Sequence, residues 1–152
     1  MFLKNVIDKY ESNKIKLFVD MDGVIADYDV GNPSGYDKKR PLITSIAKLK
    51  EISQLENIEL FILSVSKKDE GIEQKNYWLN QYAPFFKEEN RVIISKESNE
   101  GFLAKDLKSN YLKQVKRDQS ILMVIDDDPQ VLKQISKDNP DVALFKDTVL
   151  VD

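Results

Sequence analysis

The chain contains no cysteine and no histidine, and these two absences remove whole reaction classes. Lacking cysteine, it has no disulfide framework, no thiolate nucleophile and no thiolate zinc site, a composition that suits the cytoplasm. Lacking histidine, it has no Ser-His-Asp triad, no histidine nucleophile and no imidazole-ligated transition metal. Carboxylates, hydroxyls and lysines are left to carry any chemistry, and clustered carboxylates favour a hard cation such as Mg²⁺.

Glycine and proline are also scarce, five of each, while 41% of residues are hydrophobic and 32% charged. Such proportions belong to a globular chain, not to a disordered one. No apolar stretch reaches membrane-spanning length, and Lys4, Asp8 and Lys9 interrupt the first dozen residues where a signal peptide would be apolar. No membrane association is therefore expected. A net charge of −3 gives no electrostatic case for binding a nucleic-acid duplex. With 152 residues, one domain spanning 1–152 accounts for the length and would bury roughly 70% of its unfolded-chain surface.

Apolar periodicity orders the chain into alternating elements. Phe2, Leu3, Val6, Ile7 and Tyr10 share a helical face near 2–11, ahead of a strand over Ile15–Val19. Gly31, Asn32, Pro33, Ser34 and Gly35 punctuate an irregular loop from Tyr28 to Arg40. Pro41 then opens a helix near 42–55, and Ile58 to Leu63 reads as a buried strand ending at Ser64. A helix near 70–82 closes before Pro84. It is followed by a strand over Arg91–Ser95, a helix over Asp106–Lys116, a strand over Ile121–Ile125, a helix from Pro129 and a last strand near Val142–Phe145. Right-handed crossovers between such elements predict a three-layer α/β/α, Rossmann-like fold around a parallel sheet of about five strands.

All strand ends in such a sheet face one rim, where open α/β folds bind ligands. Aspartate is a poor strand former, yet Asp20 and Asp22 follow one apolar strand and Asp126 and Asp127 follow another. Ser64 falls at a third strand end, where it reads equally as a turn hydroxyl. Asp128, just before Pro129, is the expected helix N-cap, and Asp27 reads as a solvated turn residue. Trp78 reads as core, while Tyr28 and Tyr36 either shield the core or offer a stacking face.

The set Asp20-Met21-Asp22-Gly23, Ser64, a lysine and Asp126-Asp127, in that order, resembles the signature of the haloacid dehalogenase superfamily of phosphatases. Gln74-Lys75-Asn76-Tyr77-Trp78-Leu79 and Arg91-Val92-Ile93-Ile94 are similar to its 5′(3′)-deoxyribonucleotidase branch. The resemblance implies a Mg²⁺-dependent phosphomonoester hydrolase, with a nucleotide or similar small phosphate ester as partner. Asp20 would be the nucleophile, forming an aspartyl-phosphate, and Asp22 the general acid and base. Ser64 and Lys108 would hold the phosphate, with Lys105 as the fallback and Lys96 a further lysine in the same interval. Mg²⁺ would be held by the Asp20 carboxylate, the Asp22 backbone carbonyl and Asp126, with Asp127 binding through water.

The deoxyribonucleotidases carry a helical cap after the nucleophile loop, and only the short loop at 28–41 stands there in this chain. Two alternatives use the same residue types. A receiver-like phospho-acceptor domain also needs carboxylates, Mg²⁺, a hydroxyl and a lysine, but places its acidic pair after the first strand. A non-catalytic member would keep the fold as a binding surface. The oligomeric state is left open by the sequence.

Overall fold

The computed structural model describes residues 2–28 and 35–151. Five strands form one parallel sheet in the order β3-β2-β1-β4-β5: β1 (Ile15–Val19), β2 (Ile58–Ser66), β3 (Arg91–Ser95), β4 (Ile121–Asp126) and β5 (Ala143–Lys146). Five helices accompany them: α1 (Phe2–Lys9), α2 (Ile43–Ile52), α3 (Glu70–Tyr82), α4 (Ala104–Gln114) and α5 (Pro129–Asp138). The expected α/β class and parallel five-stranded sheet are what the chain forms.

Side chains alternate across the strands and divide the core in two. Leu17, Val19, Ile62, Met123 and Ile125 face a layer made by Leu3 and Ile7 of α1, Leu49 of α2, and Trp78 and Leu79 of α3. Phe18, Leu63, Leu122 and Val124 face the opposite way, onto Leu112 of α4 and Val131 and Ile135 of α5. Phe18 also stacks on Phe61, with ring centroids 4.6 Å apart. Both faces of the sheet are therefore covered, as buried parallel strands require. Among the described residues, no helix is long and apolar enough to cross a membrane.

Element boundaries differ from the sequence reading in places that have physical causes. β2 runs on to Ser66 because Leu63–Ser66 pairs with Val92–Ser95, so Ser64 lies inside the strand and not at its end. α4 begins two residues early, at Ala104, where the Asp106 carboxylate accepts from the Leu103 backbone N–H at 3.3 Å. An acid three residues into a helix caps the residue before it. Within the loop expected over 28–40, Tyr36–Lys38 forms a 3₁₀ turn. Gly31, Asn32, Pro33 and Ser34 lie outside the described residues, and the short-loop reading at that point lies outside them too.

The strand order fixes where a site can open. From β1 the chain lays β2 and β3 on one side and then crosses to place β4 and β5 on the other. The crossovers leave a crevice where the order reverses, between the carboxyl ends of β1 and β4.

Candidate functional site

β1 and β4 pair in register through Val19 and Ile125, and the Asp20 N–H donates to the Ile125 carbonyl at 3.0 Å. The residues that follow, Asp20 and Asp126, are thereby delivered side by side. The chain then turns sharply: the Met21 carbonyl accepts from the N–H groups of Val24, Ile25 and Ala26 at 3.1, 2.9 and 3.0 Å. Gly23 makes this turn possible with φ +81°, and a Cβ there would overlap the Asp127 carboxylate. Beyond the turn, Asp27 and Arg40 join the two arms of the loop, by the Asp27 N–H to Arg40 carbonyl bond of 2.9 Å and by a 2.5 Å ion pair.

Asp20, Asp126 and Asp127 each present a carboxylate oxygen, and the three oxygens lie within 4.8 Å of one another. Asp127 Oδ2 accepts from the Tyr28 hydroxyl, while its buried Oδ1 has no partner among the described residues. An orphaned acceptor beside two further acids is the all-oxygen donor set that a divalent cation such as Mg²⁺ takes. These residues fit the ion.

Lys108, 4% exposed, reaches both buried acids from α4, at 3.0 Å from Asp20 Oδ1 and 2.6 Å from Asp126 Oδ2. Burial works to lower the Lys108 pKa, but the two carboxylates prevail and raise it. Asp20 is pushed up to about 8 by burial, with the charges of Asp126 and Asp22 adding to the effect and Lys108 opposing it. Asp126 is raised for the same first reason, although Lys108 and the Asp128 backbone N–H, 2.9 Å from its Oδ1, pull it down. Without a cation this corner is short of positive charge.

Asp22 turns away from that cluster. Its carboxylate accepts from Lys39 at 2.6 Å and from Lys75 at 3.3 Å. Burial acts to raise its pKa, yet the two ammonium groups outweigh it and hold Asp22 below the ordinary carboxylate value. Lys75 also donates to Ser64 Oγ at 2.7 Å and to the Val65 carbonyl at 2.9 Å. The expected site residues thus form two linked groups: Asp20, Asp126, Asp127 and Lys108 in one, Asp22 and Ser64 in the other. Lys105 and Lys96 are only partly buried and belong to neither.

Lys75 was absent from the sequence-based set, although it is 4% exposed and joins Ser64 to Asp22. A signal was there: Lys75 shares a helical face with Trp78, Leu79 and Tyr82, a charge on an otherwise apolar stripe. Lys39 is positioned from the same helix, because the Trp78 indole N–H donates to its carbonyl at 2.9 Å. Asp128 is the N-cap of α5, accepting from the Gln130 N–H at 2.9 Å.

No family model matches the chain, and no curated protein does. Among solved structures, it is similar to a chain of the Pnkp1/Rnl/Hen1 complex, with TM-score 0.70 and 15% identity over 89% of this chain and 46% of that one. A chain of the Pnkp1/Rnl/Hen1 RNA repair complex gives TM-score 0.69 and 16% identity over 89% of this chain and 42% of that one. This chain spans less than half the length of either neighbour, and at such identity the likeness is one of fold.

These neighbours correct the sequence reading. Both of these solved structures are of the Pnkp1/Rnl/Hen1 complex, which is an RNA repair complex, and they do not uphold the assignment to the haloacid dehalogenase phosphatases and their deoxyribonucleotidase branch. The phosphomonoester hydrolase and nucleotidase activities go with it, and neither the receiver nor the non-catalytic alternative is better supported. An Asp-x-Asp turn, a hydroxyl, a lysine and a second acidic pair at strand ends suit a cation and a phosphate; they specify a chemistry, not a lineage. The expectation of a small phosphorylated partner and no nucleic-acid duplex is overturned by the same neighbours. The small partner rested on the family resemblance and the missing duplex on net charge, which averages over the surface and hides local concentrations of lysine.

Proposed function

We propose that this chain is an enzyme of RNA repair that engages the phosphorylated end of an RNA strand at the crevice between β1 and β4. The observation carrying this reading is the meeting of three carboxylates with the buried Lys108 at the reversal point of the sheet, beside the buried Lys75–Asp22 pair. The fold neighbours' membership of an RNA repair complex supports RNA as the substrate class.

Asp20, Asp126 and Asp127 would hold Mg²⁺, which supplies charge neutralisation for phosphate oxygens. Lys108 keeps Asp20 and Asp126 together and offsets their mutual repulsion. Ser64, whose Oγ accepts from Lys75, keeps its hydroxyl hydrogen as a donor for a non-bridging phosphate oxygen, and Lys75 holds that hydroxyl in place. Asp22, held ionised by Lys39 and Lys75, suits acceptance of a proton from an incoming hydroxyl better than donation of one.

Fluorescence anisotropy with 10-mer RNAs bearing a 5′-phosphate, a 3′-phosphate or hydroxyl ends tests the proposal. In MgCl₂ one phosphorylated RNA should bind at least about tenfold more tightly than the hydroxyl-ended strand, a difference of about 1.4 kcal/mol. EDTA or Asp126→Asn should remove the preference, and gel mobility should show the end altered by wild type and unaltered by Asp20→Asn. Equal affinity for all three ends, insensitive to EDTA, would overturn it.

A further inference from the structure

Next to the carboxylate cluster, on the far side of Asp22, a crevice of about 330 Å³ is lined by Tyr36, Lys39, Ser66, Lys67, Gly71, Gln74 and Lys75 among others. It continues into a second hollow reached by Lys68 and Glu70. The two together carry four lysines against two carboxylates, Asp22 and Glu70, in a chain whose net charge is −3. Volumes of this order are those of pockets that take small ligands.

The polar groups in this crevice are incompletely used. The Tyr36 hydroxyl is buried, with the residue 8% exposed; it lies beside the Asp22 carboxylate, but no acceptor among the described residues meets full hydrogen-bonding geometry with it. Burial and the nearby Asp22 charge raise its pKa, so it stays a donor. Lys39 and Lys75 lie over the Tyr36 ring, 4.8 and 5.1 Å from its centroid. Lys39 spends one of its three N–H donors on Asp22, and Lys67 is exposed at the mouth. At the floor Gly71 lets the first turn of α3 close on β2, since a Cβ there would overlap Ser66 Oγ.

Given the RNA-end reading, on which this inference rests, we propose that the crevice is a second anion subsite. It takes the phosphodiester next to the terminal phosphate, through the Tyr36 hydroxyl, Lys39, Lys67 and Gln74. The subsite makes the protein select a strand of two or more nucleotides over a mononucleotide. A buried donor poorly satisfied by Asp22, set among excess cations, matches a phosphodiester, which brings acceptor oxygens and one negative charge.

Anisotropy and calorimetry with a nucleoside monophosphate, a phosphorylated dinucleotide and a phosphorylated 6-mer RNA test this in MgCl₂. Wild type should bind the dinucleotide and the 6-mer at least about tenfold more tightly than the monophosphate, with little gain from two nucleotides to six. The double variant Lys67→Ala/Gln74→Ala should lose that gain while keeping monophosphate affinity within about twofold. Its slope of log affinity against log salt for the 6-mer should fall by about 0.7, the share of one single-strand phosphate contact. Tyr36→Phe, which keeps the ring, should reproduce part of the loss. Equal wild-type affinity for monophosphate and dinucleotide, or a double variant weakened equally for both, overturns the subsite and leaves the terminal site standing. If wild type binds none of the three, the RNA-end reading fails and the subsite with it.

Discussion

Gly23 shows how one residue ties backbone geometry to the carboxylate cluster. Its φ of +81° is a conformation that costs an L-residue about 1–2 kcal/mol, and its missing side chain leaves the room that Asp127 occupies. Gly23→Ala should therefore act twice, straining the turn after β1 and displacing the Asp127 carboxylate from Asp20 and Asp126. The expected outcome is a Mg²⁺ affinity at least about tenfold weaker by isothermal titration calorimetry, about 1.4 kcal/mol, with far-UV circular dichroism unchanged. Unchanged affinity would show that Asp127 is free to move without consequence and that Gly23 serves only the turn.

At the scale of elements, α5 joins capping to the site. Asp128 accepts from the Gln130 N–H through its side chain, and its own N–H donates to Asp126 Oδ1. Asp128→Ala should cost about 1 kcal/mol, lowering Tm by about 2–4 °C in a domain of this size. Asp128→Asn, still a good cap, should restore most of that by scanning calorimetry. If Asp128→Ala leaves Tm unchanged, α5 is held by Val131 and Ile135 alone.

The elements were legible because apolar spacing is a local signal. The apolar runs of Ile15–Val19 and Ile121–Ile125 and the helical stripes of α3 and α5 all fold as read. Where β2 and α4 start or stop was less legible, since Ser64 and Ser66 stay extended only because β3 pairs with them. The carboxylates stood out as acids at apolar strand ends. Lys75 did not, because a helical lysine is usually solvated and its burial exists only once α3 meets the end of β2. Substrate class was the least legible of all, as the same cation and phosphate chemistry serves many molecules.

For the whole molecule, the buried acids link folding to pH and to cations. Asp20 is raised to about 8 from an ordinary 3.8, and Asp126 is raised as well. Both favour the folded chain below about pH 4; the Asp20 contribution is lost as pH rises toward 8, and the Asp126 contribution is lost in the same direction. Asp22, held low, has the opposite sign, but its contribution is lost only as pH falls below the ordinary carboxylate value. Lys108, held high, contributes fully until pH exceeds the ordinary lysine value. Between pH 5 and 8 the raised Asp20 therefore dominates the local balance. In EDTA, Asp20→Asn should be more stable than wild type at pH 8 by at least about 3 °C in Tm, roughly what 1 kcal/mol is worth at this size. At pH 5 the two should differ little. Mg²⁺ reverses the ranking by binding the ionised acids, and it must displace protons to do so. At a concentration about 100 times its dissociation constant it should add about 2.7 kcal/mol to wild type at pH 8, and less than half of that at pH 5. Calorimetric scans of both proteins at the two pH values, with and without MgCl₂, decide the matter. An equal Mg²⁺ effect at both would mean that the carboxylates are ionised before the ion arrives, and Lys108 alone would then suffice to hold them together.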